Sequence, residues 1–322
     1  MMNKATLFFA LLLAPVLVAA QPVDESLRIT GAGLASYGVV KTEYDEIPCT
    51  ITYLRGADWK PEYYWRAVEP QPGVYDFSPF LDVMDEAASV GSKVGFRMIT
   101  HHPGPRTFPS WVKTKSITRN GYTMTVPDWA DPGVKAALRD LTLEMGRQLG
   151  DHPAFLFADI GLLGFSGEWH TEHLGFEDTD FMPSLDIMYE YVDMHIDAFG
   201  AENLVLNLGM EREIIVYALE HGVNGWRHDG FGAWTKNEIL YPARFNAIPA
   251  LWDVTGVRMF EIWGRNISDW PEDDIVQWTT AELFDEASKY GATIFANMGN
   301  GIPDRDKPAY KAWHRAMMAA QE

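Results

Sequence analysis

Eight strand-like apolar runs alternate with helix-like runs along this chain, and that alternation restricts the fold more than any other feature. The strand-like runs are Leu34 to Val40, Thr50 to Arg55, Lys93 to Thr100, Phe155 to Ile160, Leu204 to Leu208, Trp226 to Asp229, Val257 to Trp263 and Ala292 to Asn297. Helical periodicity falls between them: Pro79 to Val90, Pro132 to Gly150, Ser184 to Phe199, Glu211 to Glu220, Tyr241 to Asp253, Ile275 to Tyr290 and Lys307 to Ala320. Gly91 and Gly200 stand where helix-ending glycines belong, and Pro132 stands at a first-turn position. Near-continuous apolar strands joined by helices mean a parallel sheet covered on its faces. Eight such units in one chain of 322 residues predict a closed (β/α)8 TIM barrel, a single domain over residues 21–322. An open dinucleotide-binding sheet is disfavoured, because no G-x-G-x-x-G follows the first strand. The stretch from His101 to Ala130 reads as a long loop rich in Pro, His and Trp.

The first twenty residues have a different character. Lys4 precedes the apolar run Leu7 to Leu13, and Val18-Ala19-Ala20 supplies small residues at a cleavage position. This pattern predicts a signal peptide over residues 1–20 and an exported, secreted or periplasmic product. The apolar run is short for a membrane span. A net charge of −19 argues against nucleic acid and anionic membranes as partners. Cys49 is the only cysteine, so no internal disulfide is available to an exported form. Apolar residues make up 47% of the chain, enough for a sizeable core.

In a barrel of this kind, chemistry collects at the C-terminal ends of the strands. Arg97, Glu168, Asn207, His228, Glu261 and Asn297 fall at or just beyond such ends. Glu168 sits in Gly167-Glu168-Trp169-His170, after the fourth strand, and Glu261 sits in Val257-Arg258-Met259-Phe260-Glu261-Ile262-Trp263, on the seventh. Two carboxyl groups facing one another, with aromatic faces nearby, are what hydrolysis of a glycosidic bond requires. Glu261 shares its alternating face with Val257, Met259 and Trp263, which points it at the barrel axis, where a carboxylate needs a partner such as Arg97 or Arg258. The glycines around Glu168 permit an unusual turn, and an adjacent indole would raise its pKa by excluding water. Asp159, at the tip of the fourth strand, is the alternative acid. Arg97, His101, His102, Asn207, His228 and Asn297 are candidate hydroxyl ligands. Trp111, Trp169 and Trp263 are candidate sugar platforms, with Trp65 and Trp129 as further ones. His170 and His173 flank Glu172, but this spacing has no helix context and no defined third ligand, so no metal is expected. Ser166 lacks a G-x-S-x-G elbow and there is no P-loop.

The segment Trp65-Arg66-Ala67-Val68-Glu69-Pro70-Gln71-Pro72-Gly73-Val74-Tyr75-Asp76-Phe77, followed by a helix and then Val94-Gly95-Phe96-Arg97, resembles the W-x-x-x-E-P-x-x-G-x-Y-D-F segment of clan A glycoside hydrolases. Gly167-Glu168-Trp169-His170 and Arg227-His228-Asp229-Gly230 are similar to a little-characterised bacterial family of glycosidase-like proteins. The resemblance spans most of residues 50–300. It implies a TIM-barrel retaining glycosidase, with an acid/base Glu after strand four and a nucleophilic Glu ending strand seven, which map onto Glu168 and Glu261. The clan has Asn before its acid/base, and this chain has Gly167. The resulting expectation is an exported, cofactor-free hydrolase of a poly- or oligosaccharide. Retention predicts carboxyl groups about 5–5.5 Å apart, and inversion about 6.5–9.5 Å. A non-catalytic saccharide-binding barrel and a polysaccharide lyase are the alternatives.

Overall fold

A computed structural model describes residues 33–44, 47–55, 60–102, 106–172, 175–232, 240–262 and 280–296, with four positions further on (308, 311, 312 and 315). Eight parallel strands close into a barrel: β1 (Gly33–Tyr37), β2 (Ile47–Arg55), β3 (Lys93–Arg97), β4 (Phe155–Asp159), β5 (Leu204–Asn207), β6 (Trp226–Phe231), β7 (Arg258–Ile262) and β8 (Ile294–Ala296). Each strand pairs with its sequence neighbours. Closure is made by β1, whose Ala35 lies opposite both Ala296 of β8 and Ile51 of β2. Helices α1 (Ser78–Ser89), α2 (Pro132–Leu149), α3 (Leu185–Phe199), α4 (Arg212–Glu220), α5 (Tyr241–Ala247) and α6 (Thr280–Lys289) follow the strands. The expected alternation is therefore the fold. Among the described residues, no helix is long and apolar enough to cross a membrane.

Strand alternation divides the apolar residues into two groups. One set fills the barrel interior: Ala35, Ile51, Tyr53, Phe157, Val205, Met259, Ile294 and Ala296. The intervening residues Leu54, Phe96, Ala158, Leu206, Phe260 and Phe295 face outward, into the layer shared with Leu138, Leu141, Val192, Ile214 and Phe245 of the helices. Gly95 belongs to the interior set because nothing larger fits. A Cβ there would lie 2.2 Å from the Phe157 ring. The Trp65 to Phe77 segment is a buried tie. Trp65 Nε1 donates to Glu69 Oε2 (2.7 Å) and Gly73 N donates to Glu69 Oε1 (2.8 Å), with both Trp65 and Glu69 buried.

Two parts of the chain differ from the sequence reading. The stretch from His101 to Ala130 is not all loop. Thr114–Arg119 and Tyr122–Pro127 form an antiparallel hairpin. Its two turn residues, Asn120 and Gly121, have φ of 51° and 77°, the positive pair that a tight hairpin demands and that an Asn-Gly dipeptide supplies. The helix expected over Tyr241 to Asp253 breaks after Ala247 and resumes as a 3-10 turn, Pro249–Asp253. Pro249 forces Ile248 out of the helical region, to φ −132° and ψ 78°.

Candidate active site

Toward the C-terminal ends of the strands, the inward face turns polar. Two residues on along that face, Tyr53 is followed by Arg55, Gly95 by Arg97, Phe157 by Asp159, Val205 by Asn207, Arg227 by Asp229 and Met259 by Glu261. These side chains meet at the C-terminal rim in a network of buried charge. Glu261 Oε1 accepts from Arg55 Nη1. Asp159 Oδ2 accepts from Arg227 Nε and from the Tyr53 hydroxyl (2.6 Å), with Arg97 Nη1 at 3.6 Å. Arg227 Nη1 lies 2.5 Å from Asp229 Oδ1 and 4.0 Å from Glu261 Oε2. Arg97 Nη2 then reaches the loop after β4 and pairs with Glu168 Oε1 at 3.2 Å. A continuous chain of ion pairs therefore runs from Glu168 through Arg97, Asp159 and Arg227 to Glu261.

The loop that carries Glu168 is built by backbone strain. Between residues 162 and 169, Leu162, Gly164, Ser166, Gly167 and Trp169 all have positive φ. Among the described residues only one other non-glycine, Asn120 of the hairpin, does so. Left-handed backbone at Leu, Ser and Trp costs of order 1–3 kcal/mol each and persists only where neighbouring bonds enforce it. Those bonds are present. Ser166 N donates to His101 O (2.7 Å), Phe165 N to His170 O (2.7 Å), and Thr100 Oγ1 to Leu162 O. Trp169 Nε1 donates to the Ile160 and Gly161 carbonyls (2.8 and 3.1 Å). From β5, Asn207 Nδ2 donates to the Glu168 carbonyl at 3.3 Å. The Glu168 carboxyl emerges from this loop 19% exposed, with His170 Nε2 3.4 Å from its Oε2.

Electrostatics separates the carboxyl groups. Burial pushes Asp159 up to about 7 against the pull of Arg97 and Tyr53. Burial also raises Glu261 well above the carboxylate range, against Arg55 and with Asp229 adding to the rise. Asp229 stays below its ordinary value: burial works against it, and Arg97, a hydrogen bond with Glu261, and His228 outweigh that. The hydrogen bond to Glu168 raises His170.

The geometry changes several assignments read from the sequence. The cation at Glu261 is Arg55, where Arg97 or Arg258 was expected. Asp159, the alternative acid, has a fully buried side chain clamped between two arginines, so it supports the rim from below rather than facing the opening. Trp169 is no platform. Its indole is buried and its N–H is spent on two main-chain carbonyls. Trp65 and Trp129 are likewise fully buried. Trp111 is half-buried, edge-on to Trp65 at 5.7 Å. His101 is buried between Phe165 and Phe108, and burial lowers it to about 4. His102 Nδ1 lies 2.8 Å from Ser166 Oγ, so both histidines brace the Glu168 loop. The His228 ring packs edge-on to Tyr241, in the layer behind the strand. Trp263 and Asn297, like His173 and residues 1–20, lie outside the described residues. The sequence reading missed Tyr53, Arg55 and Arg227. Each is two residues from another inward position, which was the available signal.

By sequence, no family model and no curated protein matches this chain. By structure it is similar to the native xylanase 10B from Thermotoga maritima, at a TM-score of 0.57 and 11% identity over 92% of this chain and 98% of that one. It is also similar to the β-galactosidase from the psychrophilic Marinomonas ef1 (TM-score 0.53, 12% identity, 90% of this chain) and to the β-galactosidase from Rahnella sp. R3 (0.52, 11%, 84%). The matched part spans 60% and 51% of those two chains. At these identities the likeness establishes the fold: a closed eight-stranded parallel barrel of the kind these glycoside hydrolases use.

Proposed function

We propose that the protein hydrolyses O-glycosidic bonds of a poly- or oligosaccharide by a two-carboxylate, retaining mechanism, and that residues 1–20 direct its export from a bacterial cell. One observation carries the reading. Glu168 and Glu261, on a loop and a strand far apart in sequence, converge on one arginine-laced rim at the C-terminal end of the barrel. The fold shared with xylanases and β-galactosidases supports it.

In this mechanism Glu261 attacks the anomeric carbon as the glycosidic C–O bond breaks, with Arg55 beside the attacking carboxyl. Glu168 gives a proton to the departing oxygen and later takes one from the water that releases the sugar. His170, hydrogen-bonded to Glu168 and facing solvent, is placed to exchange that proton. Arg97 holds Glu168 in position. Every step uses side chains of this chain alone.

The test is reducing-sugar release across a panel of plant and bacterial polysaccharides, with binding measured in parallel and product anomers followed by NMR. Release with retained configuration supports the proposal. Tight binding with no release would identify a sugar-binding barrel, and an unsaturated product absorbing in the near ultraviolet would identify a lyase. A crystal of the enzyme treated with a mechanism-based inactivator should carry the sugar on Glu261, with the Glu168 carboxyl about 5–5.5 Å away.

A further inference from the structure

Asp229 stands at the end of β6 with no part in the chemistry above, yet its carboxyl reaches the same arginine nitrogen as Glu261. Arg227 Nη1 is 2.5 Å from Asp229 Oδ1 and 4.0 Å from Glu261 Oε2. The other Glu261 oxygen is committed to Arg55. Glu261 Oε2 is buried, and among the described residues no N–H and no hydroxyl donates to it. The carboxyl that stands with it on the same arginine nitrogen is that of Asp229. Two carboxyl groups crowded on one buried nitrogen repel when both are ionised, and the repulsion is relieved when one of them keeps its proton.

We infer that Asp229 and Glu261 hold one proton between them, and that Asp229 is a positioning residue that takes this proton when Glu261 attacks. This rests on the hydrolase reading for its catalytic half. In the transfer the O–H bond on Glu261 breaks and one forms on Asp229, so the charge of the pair is unchanged. Glu261 keeps the electron pair that forms the new C–O bond. The old glycosidic C–O bond breaks, and Glu168 supplies the proton for the leaving oxygen.

The surroundings favour one retained proton. Burial of the Glu261 side chain leaves little water to screen the two carboxyl groups from each other. The groups facing Glu261 are Tyr53 and Arg55 from β2, Arg97 from β3, Glu168 from the β4 loop, Arg227 and Asp229 from β6, and Tyr241 from α5. Asp229 is also within the electrostatic reach of Asp159 from β4, His170 from the β4 loop and the adjacent His228, and its carbonyl accepts from the Tyr241 hydroxyl at 2.9 Å. The Glu261 side chain is 5% exposed and that of Asp229 27%, so the proton has a route to water through Asp229.

The experiment is a carboxyl 13C NMR titration of the full chain without substrate, labelled at Asp and Glu and assigned with Glu261→Gln and Asp229→Asn. The expected result is two coupled steps for the pair, with Glu261 the higher. In Asp229→Asn, Glu261 should titrate in one step at least one pH unit lower. Independent titration of both groups in the ordinary range, or a Glu261 step unmoved in Asp229→Asn, overturns the inference. Asp229→Ser serves in place of Asp229→Asn should the latter fail to fold. With any glycoside the wild type cleaves, the acidic limb of kcat/KM should move down by a unit or more in Asp229→Asn and return in Asp229→Glu. An unmoved limb overturns the catalytic half. Absence of cleavage by the wild type would instead remove the hydrolase reading, and the titration would still decide whether the proton is shared.

Discussion

Glu261 and Glu168 reach one rim by opposite means. Glu261 is delivered by a strand: β7 pairs with β6 and β8, Met259 fixes the inward face, and the next inward residue must point into the mouth. The difficulty there is electrostatic, a carboxyl only 5% exposed that needs Arg55 and a neighbouring proton. Glu168 is delivered by a loop in which five of eight residues take left-handed backbone, and the difficulty there is conformational. The strand side therefore concentrates its cost in desolvated charge, and the loop side in strained φ angles. Both kinds of cost persist only where surrounding structure enforces them.

The largest effects come from removing the groups themselves. Glu261→Gln and Glu168→Gln should each lower turnover, the latter by roughly 10²–10⁴ as expected for loss of a general acid. Substrates with a good leaving group should be spared the loss in Glu168→Gln and not in Glu261→Gln, which separates the two sides kinetically. Near-normal turnover in both variants would dismantle the pairing. Next comes Arg227→Met, which strips the shared cation from Asp159, Asp229 and Glu261. Breaking a buried ion pair by removing one partner costs about 3–5 kcal/mol, so urea unfolding should show a loss of that size. A loss below about 1 kcal/mol would mean that water reaches the network, and the strand side would then carry no desolvation cost to set against the loop.

This division also explains what the sequence disclosed. The strand side was legible because alternation has a fixed period. Once Val257, Met259 and Glu261 are placed on one face, the inward direction of Glu261 follows. The same rule applied to β2 and β6 would have found Tyr53, Arg55 and Arg227, which a search keyed to Glu and Trp does not return. The choice of Arg55 as the cation at Glu261 depends on which strands face one another across the barrel, and no local pattern encodes that. The loop side was only half legible. The glycines 161, 164 and 167 announced an unusual turn, but the positive φ of Trp169 turned its indole inward, and three-dimensional closure of the loop decides that. Trp65 and Trp129, only further candidates by sequence, are buried for a related reason: a large aromatic near the mouth is as useful to the layer behind the strands as to the opening.

Two glycine substitutions sharpen the contrast. A Cβ on Gly164 would lie 2.5 Å from His170 N and 2.6 Å from His170 O, at a φ of 75°. Gly164→Ala should deform the Glu168 loop and lower kcat tenfold or more, and the melting temperature should fall with it, because Leu162, Leu163, Phe165 and Trp169 of this loop are buried in the core. Gly95→Ala meets the Phe157 ring instead. Overpacking of the interior costs about 1–3 kcal/mol, so its first symptom should be a lower melting temperature. If both variants lost kcat alike, the contrast between the loop that carries Glu168 and the packed interior beneath it would be gone.

The smallest effect is a change in how stability responds to pH. Asp159 titrates near 7 in the fold and near 3.8 as an ordinary Asp, so between those values the native state keeps a proton that the unfolded chain has released. That contribution is complete below about pH 4 and is lost as pH rises toward 7. His101, behind the Glu168 loop, and His195, on α3, have the opposite sign. Burial lowers both to about 4 from 6.5, so their contribution is complete above pH 6.5 and is lost as pH falls. Between pH 4 and 6.5 the opposing slopes offset one another, each at most about 1.4 kcal/mol per pH unit. In Asp159→Asn the histidine slope should stand out, with stability rising over this range faster than in the wild type. In His101→Gln it should rise more slowly or fall. Urea unfolding at half-unit steps from pH 4 to 7 checks both. Three parallel curves would show that neither the acid under the rim nor the imidazole behind the loop is desolvated as the structure requires.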